Sequence, residues 1–303
     1  MDVILSIFAA LPGSISQGLV WGVMALGVYV TFKLLDFADL TVDSSICTGG
    51  AVSTMLIING MNPLLSLVFS VLAGMLAGAA TGLLHTKLGI PPILAGILTQ
   101  LGLYSVNMRI LGRANQSLLG QSTIISSGNL AMAIAIGLLF ALAAVGFMYW
   151  FFGTELGCAI RATGNNQNMV RAQGVNTDFT KLVALIISNG MVGLSGGLLA
   201  QYSGYADVQM GRGAIVIGLA SVIIGEVVFG GKGNFALRLI AVAVGSILYY
   251  TVIAFVLQLG LNTNDLKLFS SLVVAAALAT PYLKNKYKSR KQRKKLAAAS
   301  KEG

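Results

Sequence analysis

LAMAIAIGLLFALAAVGFMYWFF, residues Leu130–Phe152, is an uninterrupted apolar run without a charged side chain. A helix needs about 20 such residues to cross a bilayer, so this run is long enough to span one. The strands of a membrane barrel are about 10 residues long and alternate in polarity, and this run does not alternate. Because lipid offers the backbone no hydrogen-bond partners, a lone spanning segment of this kind is helical. The sequence therefore predicts an all-α membrane protein.

Comparable apolar runs recur along the chain. The other long candidates for spans are Ser14–Leu35, Leu64–Leu84, Ile93–Leu111, Leu182–Gln201, Leu237–Gln258 and Leu266–Leu283. Two shorter candidates that contain glycine or polar residues are Ile46–Ile58 and Ala214–Phe229. The stretch Val3–Leu11 is too short to cross, and we expect it to end at Pro12 and lie along the interface. The pattern predicts a polytopic protein with roughly eight or nine transmembrane or broken transmembrane helices.

The composition excludes a soluble domain and a disordered chain. Of the 303 residues, 56% are hydrophobic and 10% are charged, and the mean hydropathy is +0.82. Soluble domains carry about 25% charged residues, and disordered chains are polar. The chain therefore has too little charge to cover a surface in water.

The net charge of +10 is concentrated in the C-terminal tail. Residues 284–303 hold nine Lys or Arg and one acid, Glu302, so the tail carries +8 and the rest of the chain +2. A basic segment directly after an apolar span is typical of a cytoplasmic anchor, which we favour over a nucleic-acid-binding tail. We expect a single transmembrane domain, residues 1–283, and a basic cytoplasmic tail, residues 284–303.

No motif indicates catalysis, a metal site or a cofactor in this chain. His85 is the only histidine, and Cys47 and Cys158 lie far apart, so neither a metal cluster nor a catalytic triad is expected. The run Phe229-Gly230-Gly231-Lys232-Gly233 lacks the first glycine and the Ser or Thr of a phosphate-cradling loop. We expect a protein that is not an enzyme and that must take its energy from elsewhere.

Glycine recurs at four-residue spacing within several candidate spans, which places the glycines of each set on one helix face. Such faces let helix backbones approach closely in lipid. We assign helix packing to Gly18, Gly22, Gly74, Gly78, Gly82, Gly193 and Gly197. This pattern predicts a multi-helix bundle and does not identify a solute.

The longest polar stretch before the tail is residues 155–176. Asn165 and Asn166 are suited to begin a helix and Gly174 to end one, which predicts a short helix over Gln167–Gln173. Four predicted spans lie between this stretch and the C-terminal tail. If the tail is cytoplasmic, this stretch is therefore cytoplasmic as well, because an even number of crossings returns the chain to the same side. A helix offered to a partner and an ordinary loop with a helical turn are equally well supported by the spacing alone.

This stretch carries a family resemblance. It contains Gly157-x-Ala159-x-Arg161-Ala162-x-Gly164-x-Asn166, followed by Ala172-x-Gly174-Val175. That pattern resembles the cytoplasmic signature of ABC-transporter permeases of the branched-chain amino acid and ribose type. Four other runs are similar to spans of the same family, namely Gly18–Val28, Leu35–Leu40, Ser195–Ala200 and Ser221–Gly225.

The resemblance implies how the protein would work. Two permease copies, as a homodimer in a bacterial plasma membrane, would bind separate ABC ATPase subunits and receive solute from an extracytoplasmic solute-binding protein or lipoprotein. The surroundings would be the lipid bilayer, with no nucleic acid. The residues implied for coupling to the ATPase are Arg161, Ala162, Gly164, Asn165, Arg171, Ala172 and Gly174. The run Leu35–Asp43 resembles a branch associated with amino acid uptake, aromatic or branched-chain.

Acidic residues lie between the apolar segments. Asp39 and Asp43 are four residues apart and would share one face of a helix. A carboxylate at the bilayer centre costs at least ~2.5–3.5 kcal/mol, so such groups face a cavity or a partner. We assign both to the solute path, where they would recognise an ammonium group. Simple solvation at the interface is an equally supported alternative.

Two other acids have local explanations. We expect Lys33 to pair with Asp36 at i, i+3, and Glu226 to form a cap or a local salt bridge near Lys232. The run Phe37–Val42 is echoed by Tyr205–Met210, and each precedes a short apolar segment. Inverted repeats with broken helices are a common transporter plan, although six residues support a repeat no more strongly than chance.

Three functional hypotheses remain open at this point. The first is the permease subunit of an ATP-driven importer, with the solute path at the interface of two copies. The second is an ion-coupled secondary transporter that uses Asp39, Asp43 or Glu226 as a proton or sodium site. The third is a membrane scaffold that transports nothing.

Overall fold

The computed structural model describes residues 2–229, 233–258, 265, 268–276 and 279. Residues 268–276 are helical. The elements with defined bounds are α1 (Asp2–Tyr29), a π-helical turn (Val30–Leu34), α2 (Val42–Ile58), α3 (Pro63–Thr86), α4 (Pro92–Leu111), β1 (Asn115–Ser117), α5 (Leu130–Phe152), α6 (Glu155–Asn165), α7 (Gln167–Ala172), α8 (Thr177–Ser203), β2 (Tyr205–Asp207), α9 (Ala214–Phe229) and α10 (Phe235–Gln258).

Several helices are long and apolar enough to cross a membrane, which confirms the all-α, polytopic fold class. The segments are Ala10–Leu34, Pro63–Thr86, Leu130–Phe152, Thr177–Ser203 and Phe235–Gln258, and α2 and α9 are shorter apolar helices. The spans of α1 and α8 are 83% and 72% buried within the protein, against 22% for α5. The bundle is therefore built around α1 and α8, with α5 at its periphery.

The first helix does not end at Pro12, so that expectation was wrong. α1 passes through Pro12 and continues into the π-helical turn, and Val3–Leu11 is part of it. A proline removes one backbone hydrogen bond, and a membrane helix tolerates it where side-chain hydroxyls satisfy the backbone. The carbonyl oxygen that Pro12 leaves without its helical donor is that of residue 8, whereas the hydroxyl of Ser14 donates to the carbonyl oxygens of Ala10 and Leu11, at 3.1 and 3.0 Å, and so does not replace the lost bond.

α8 lies antiparallel to α1 along the centre of the bundle. The hydroxyl of Ser188 donates to the carbonyl oxygen of Gly27, and that of Ser195 to the carbonyl oxygen of Val20, both at 2.8 Å. Small residues line this contact, so the two backbones approach closely.

The short helix α2 begins beside the middle of α8 and runs in the same direction. Ser45, near the start of α2, donates to the side-chain oxygen of Asn189, halfway along α8. Ser53, towards the end of α2, accepts from the side chain of Gln201 near the end of α8. α2 therefore crosses only half of the bundle.

The second short helix, α9, also covers half of the bundle and runs the opposite way. Gly218, in its first half, packs against the side chain of Val28 in α1. Glu226, near its end, pairs with Lys33 just beyond α1. α9 therefore runs with α1, and since α1 and α8 are antiparallel, α2 and α9 are antiparallel too. Antiparallel half-length helices are also found in transporters that are built from inverted repeats.

Two short strands, which the sequence did not predict, form an antiparallel ribbon where α8 ends. Asn115 lies opposite Asp207 and Ser117 lies opposite Tyr205. We call this the ribbon end of the bundle, and the opposite end, where α8 begins next to α7, the α6–α7 end.

The bounds of the shorter helices were predicted with mixed success. α9 has the predicted bounds, Ala214–Phe229, whereas Ile46–Ile58 is only the later part of α2, which begins at Val42. Residues 268–276 of the predicted span Leu266–Leu283 are helical, whereas residues 266, 267, 277, 278 and 280–283 lie outside the described residues, as do the glycines at 230 and 231, Lys232 and the tail 284–303.

Candidate functional site

Residues 155–176 fold as two short helices. α6 starts at the N-cap Thr154, whose hydroxyl accepts from the N–H of Gly157 at 3.3 Å. The side chain of Asn166 caps α7, which matches the predicted helix except that it ends one residue earlier, at Ala172. α6 was not predicted, because Gly157 and Gly164 both lower the helix propensity of its sequence.

The packing around position 164 explains why α6 has a glycine there. A Cβ atom at this position would overlap the carbonyl group of Leu34 and approach the Cα atom of Leu35 to 2.8 Å. Only glycine lets the two backbones come this close. α6 is thereby seated on the π-helical turn, immediately before the connection that leads to α2.

A cavity of about 400 Å³ lies beside this contact at the α6–α7 end. The guanidinium carbon of Arg161 lies 4.9 Å from the ring centroid of Phe235, within the range of a cation–π contact. The cavity is lined by Phe32, Lys33, Leu34, Asp36, Arg161, Gly164, Asn165, Phe235 and Arg238.

The ion pair at this end joins distant elements. Lys33 Nζ lies 2.9 Å from Glu226 Oε1, so the expected pair between Lys33 and Asp36 was wrong. The backbone leaves helical geometry at Asp36, where φ is 54°, and the i, i+3 spacing of a helix no longer applies. The partner expected near Glu226 in sequence, Lys232, lies outside the described residues.

Arg171 holds α7 against the start of α8. Its Nη2 atom lies 3.1 Å from Asp178 Oδ1, and its Nε atom donates to the hydroxyl of Thr177 at 2.7 Å. Both charged side chains are about half exposed, so this pair positions α7 more than it stabilises the fold.

The rest of the predicted coupling residues lie at the surface of this end. Of the apolar residues of α7, Met169 is 54% exposed, whereas Val170 is 2% exposed and packs into the protein. Gly174 adopts a φ of 84°, as a glycine that follows a helix does. The exposed coupling residues are Arg161, Ala162, Asn165, Arg171, Ala172 and Gly174.

Asp43 joins the half-length helices α2 and α9. It lies in the first turn of α2, and its carboxylate accepts hydrogen bonds from the backbone N–H groups of Gly213 at 3.0 Å and Ile215 at 2.9 Å. It therefore caps the N-terminus of α9. Because helix N-termini are electropositive, one carboxylate serves two of them where α2 and α9 meet.

Asp39 lies deeper, in the connection before α2, and is 2% exposed. Its carboxylate accepts from the side-chain amide of Asn189 at 2.7 Å and from the N–H of Thr41 at 2.9 Å. Among the described residues, no basic side chain lies within ion-pair distance of it. The amide of Asn189 also accepts from Ser45 at 2.6 Å, so the carboxylate belongs to a polar network inside the bundle.

Asp39 and Asp43 do not share a helix face. α2 begins at Val42, so Asp39 precedes the helix and the i, i+4 relation does not apply. Asp39 faces α8 and Asp43 faces the start of α9, which the sequence spacing could not distinguish.

Each of the seven glycines assigned to helix packing lies at a contact between helices. Those of α1 pack on α10, those of α3 pack on α8, and those of α8 pack on α3. In α3, a Cβ atom at Gly74 would overlap the backbone of Asn189, and one at Gly78 the backbone of Leu185. The remaining contacts are Gly18 with Ile247, Gly22 with Ala243, Gly82 with Leu182, Gly193 with Ser70 and Gly197 with Ser70.

Three polar residues were missed by the sequence analysis. Asn189 holds Asp39, Gln201 joins α8 to α2 and α3, and Arg212 lies in the loop that leads into α9. A signal was present, because a polar side chain inside an apolar span is expensive and usually functional. Asn189 sits in the middle of such a span.

Comparison with known proteins agrees with the fold. Residues 11–278 match the family described as branched-chain amino acid transport system / permease component. A tyrosine transport system permease protein of Clostridioides difficile is 38% identical over 265 residues, which cover 88% of this chain and 89% of that protein. A D-allose transport system permease protein of Escherichia coli is 30% identical over 246 residues, covering 79% and 72%.

A more distant relative, an autoinducer 2 import system permease protein of Yersinia pseudotuberculosis, is 34% identical over 56% of this chain and 49% of its own length. No solved structure matches. The family match extends over most of the chain, and the tyrosine transport relative aligns along nearly all of its length. The chain therefore belongs to the family of branched-chain amino acid transport system permeases, a type of ABC-transporter permease.

Proposed function

We propose that this chain is the membrane-spanning subunit of an ATP-driven importer, with α6 and α7 as the element that contacts separate ATPase subunits. The observation that carries the proposal is the contact of Gly164 with Leu34. A force applied to α6 would pass through this contact to the connection before α2, and from α2 through Asp43 to α9. The element exposed to a partner is thus joined to the two half-length helices.

The distribution of charge supports a cytoplasmic location for the α6–α7 end. Basic residues at the cytoplasmic side of a membrane protein outnumber those at the other side. Among the described residues, this end holds Lys33, Lys87, Arg161, Arg171, Lys181 and Arg238, and the ribbon side holds Arg109, Arg113 and Arg212. We therefore place the ribbon end outside the cell. The α6–α7 end and the C-terminal tail are placed in the cytoplasm.

The partners follow from the family. The chain lacks a phosphate-cradling loop in its sequence, so ATP hydrolysis falls to separate ABC ATPase subunits. An extracytoplasmic solute-binding protein would deliver solute at the ribbon end. Two copies of this chain would enclose the solute path, with Asp43 and Asp39 assigned to its wall.

The solute we propose is an amino acid, with aromatic ones favoured. A relative with 38% identity along most of both chains is named for tyrosine transport. The relative named for D-allose transport is 30% identical, and the one named for autoinducer 2 import aligns over only 56% of this chain. These two solutes are the alternatives to an amino acid.

Uptake of labelled tyrosine tests the proposal in cells that co-express the chain with the ATPase and binding protein encoded beside it. ATP depletion should abolish uptake, and an uncoupler applied while ATP is maintained should leave it largely intact. A tagged chain should also retain the ATPase during purification. Uptake that survives ATP depletion but collapses with the uncoupler would refute the proposal.

An ion-coupled transporter is the second candidate, because Asp39 is buried without a basic partner among the described residues. Buried carboxylates of this kind serve as proton or sodium sites in secondary transporters. Asp39→Asn separates the two candidates. An importer driven by ATP keeps its uptake insensitive to the uncoupler in this variant, whereas an ion-coupled transporter loses coupled uptake altogether.

A further inference from the structure

A second cavity, of about 290 Å³, lies where the two half-length helices meet. Ligand pockets usually measure about 300–1,000 Å³, so this one suits a small solute. It is lined by Asp43, Ser44 and Cys47 of α2, by Gln100, Leu101 and Tyr104 of α4, and by Val208 and Arg212 of the loop before α9.

Two opposite charges line this cavity without forming an ion pair. Asp43 and Arg212 are not within 4.0 Å of each other, since the ion pairs among the described residues lie elsewhere. The Arg212 guanidinium forms no ion pair with any other described acid either. An acid and a base that flank a small cavity and remain apart leave room for a solute that carries both charges.

The remaining walls suit the body of such a solute. Tyr104 is 46% exposed and Leu101 is 65% exposed, so the cavity is open on the side of α4. Together they supply an aromatic and an aliphatic surface, and aromatic rings pack well at centroid distances of about 4.5–7 Å. The hydroxyl of Ser44 is already used, because it donates to the carbonyl oxygen of Gln100 at 3.0 Å.

We propose that this cavity is the permease's own solute-binding site and that it selects zwitterionic amino acids. The guanidinium of Arg212 takes the solute carboxylate, the Asp43 carboxylate takes the ammonium group, and Tyr104 with Leu101 contacts the side chain. The proposal rests on the proposed function and adds a residue, Arg212, that the family pattern did not point to. Arginine forms bidentate, charge-assisted hydrogen bonds with carboxylates, so it reads the group that an amine lacks.

The position of this cavity links solute binding to the movement of α2 relative to α9. Asp43 already accepts two backbone hydrogen bonds from the start of α9, so a solute ammonium beside it binds at the joint between α2 and α9. Arg212 directly precedes Gly213, one of those two donors. A solute that bridges Asp43 and Arg212 therefore contacts α2 and the loop that leads into α9, and it is released when α2 and α9 separate.

Protection from thiol labelling tests the site on the purified permease. The variant Leu101→Cys, in a Cys158→Ser background, is labelled with a maleimide in the presence of tyrosine or of tyramine, its decarboxylated amine. The parent with Cys158→Ser alone gives the labelling due to Cys47, which is buried. Leu98→Cys, one turn earlier on α4 and 50% exposed, is the matched control outside the cavity.

We expect tyrosine to slow labelling of the Leu101→Cys variant and to leave the Leu98→Cys variant unaffected. Tyramine should need a concentration about tenfold higher or more for the same protection, as the loss of one charge-assisted pair predicts. Adding Arg212→Gln should remove the difference between tyrosine and tyramine. Equal protection by both compounds in the presence of Arg212, or no protection, would overturn the proposal.

A transport measurement covers the case in which Leu101→Cys does not fold. Arg212→Gln breaks no ion pair with a described residue, so the variant should insert normally. In the reconstituted importer it should lower tyrosine uptake about tenfold or more while stimulation of the ATPase by loaded binding protein persists. Unchanged uptake would overturn the proposal. If ATP drives uptake but Arg212→Gln is silent, only the site is refuted; if ATP does not drive uptake at all, the proposed function fails as well.

Discussion

The backbone of Gly164 in α6 is packed directly on the carbonyl group of Leu34, at the end of the π-helical turn. This single contact joins the exposed end of the protein to the chain that leads into α2. Because there is no space even for a side chain at position 164, α6 cannot move closer to the π-helical turn without displacing it. It is the point at which we expect movement of a partner to enter the membrane domain.

Gly164→Ala should therefore uncouple transport. The added methyl group overlaps Leu34, and overpacking of this kind costs about 1–3 kcal/mol, which displaces α6 from its seat. We expect uptake to fall severely while the amount of protein in the membrane is unchanged. Gly146→Ala is the control, since a Cβ atom at this helical glycine meets nothing within 4 Å. Normal uptake by the Gly164→Ala variant would contradict the role assigned to the contact.

Close packing of α3 on α8 predicts a stability effect at Gly78. A Cβ atom there would overlap the backbone of Leu185, so Gly78→Ala should lower the free energy of unfolding by about 1–3 kcal/mol. Thermal unfolding in detergent measures the change. Gly102→Ala in α4 has open space around it and should leave the transition unchanged or raise it slightly. An equal effect of both substitutions would show that the contact between α3 and α8 is not the cause.

The ion pair of Lys33 with Glu226 can be separated from the pair that the sequence suggested. Glu226→Gln removes the observed partner, and Asp36→Asn removes the one expected from spacing. Because the side chains of Lys33 and Glu226 are 43% and 29% exposed, their ion pair contributes only about 0.2–1 kcal/mol to the free energy of unfolding. A double-mutant cycle with Lys33→Gln should show coupling to Glu226→Gln. Coupling to Asp36→Asn instead would contradict the structure.

The buried amide of Asn189 is expected to matter more. Asn189→Ala takes one donor from the Asp39 carboxylate and one acceptor from Ser45, all in the interior. A buried polar group left without its partner costs about 1–3 kcal/mol, so the unfolding temperature should fall clearly. Asn168→Ala, at an exposed position of α7, serves as the control. The double variant Asp39→Leu with Asn189→Ala should recover part of the loss, and failure to do so would argue against their pairing.

Much of the fold was legible in the sequence because its main determinant is local. A continuous apolar run must be helical in lipid, so the runs predicted the spans, and Ala214–Phe229 even has the predicted bounds. Pro12 was misjudged because a proline can lie within a membrane helix, and α1 continues through it. Glycine spacing predicted close packing but could not say which helix would fill each contact.

The candidate site was less legible, because its contacts join residues far apart in the chain. Lys33 and Glu226 are 193 positions apart, and Asp43 caps a helix 172 positions later, so spacing rules for one helix could not pair them. The i, i+4 relation of Asp39 and Asp43 failed since α2 begins between them. The cavity at Asp43 is formed by α2, α4 and the loop before α9, and no local pattern brings Tyr104 and Arg212 together.

Sidedness of Asn165 tests the central claim most directly, since an ATPase can engage α6 only from the cytoplasm. In a Cys158→Ser background, the variant Asn165→Cys is treated with a membrane-impermeant maleimide in intact cells and in inside-out vesicles. Leu119→Cys, at a residue 90% exposed near the ribbon end, is the opposite control. We predict labelling of the Asn165→Cys variant only in the vesicles and of the Leu119→Cys variant only in intact cells. Labelling of the Asn165→Cys variant in intact cells would contradict the account.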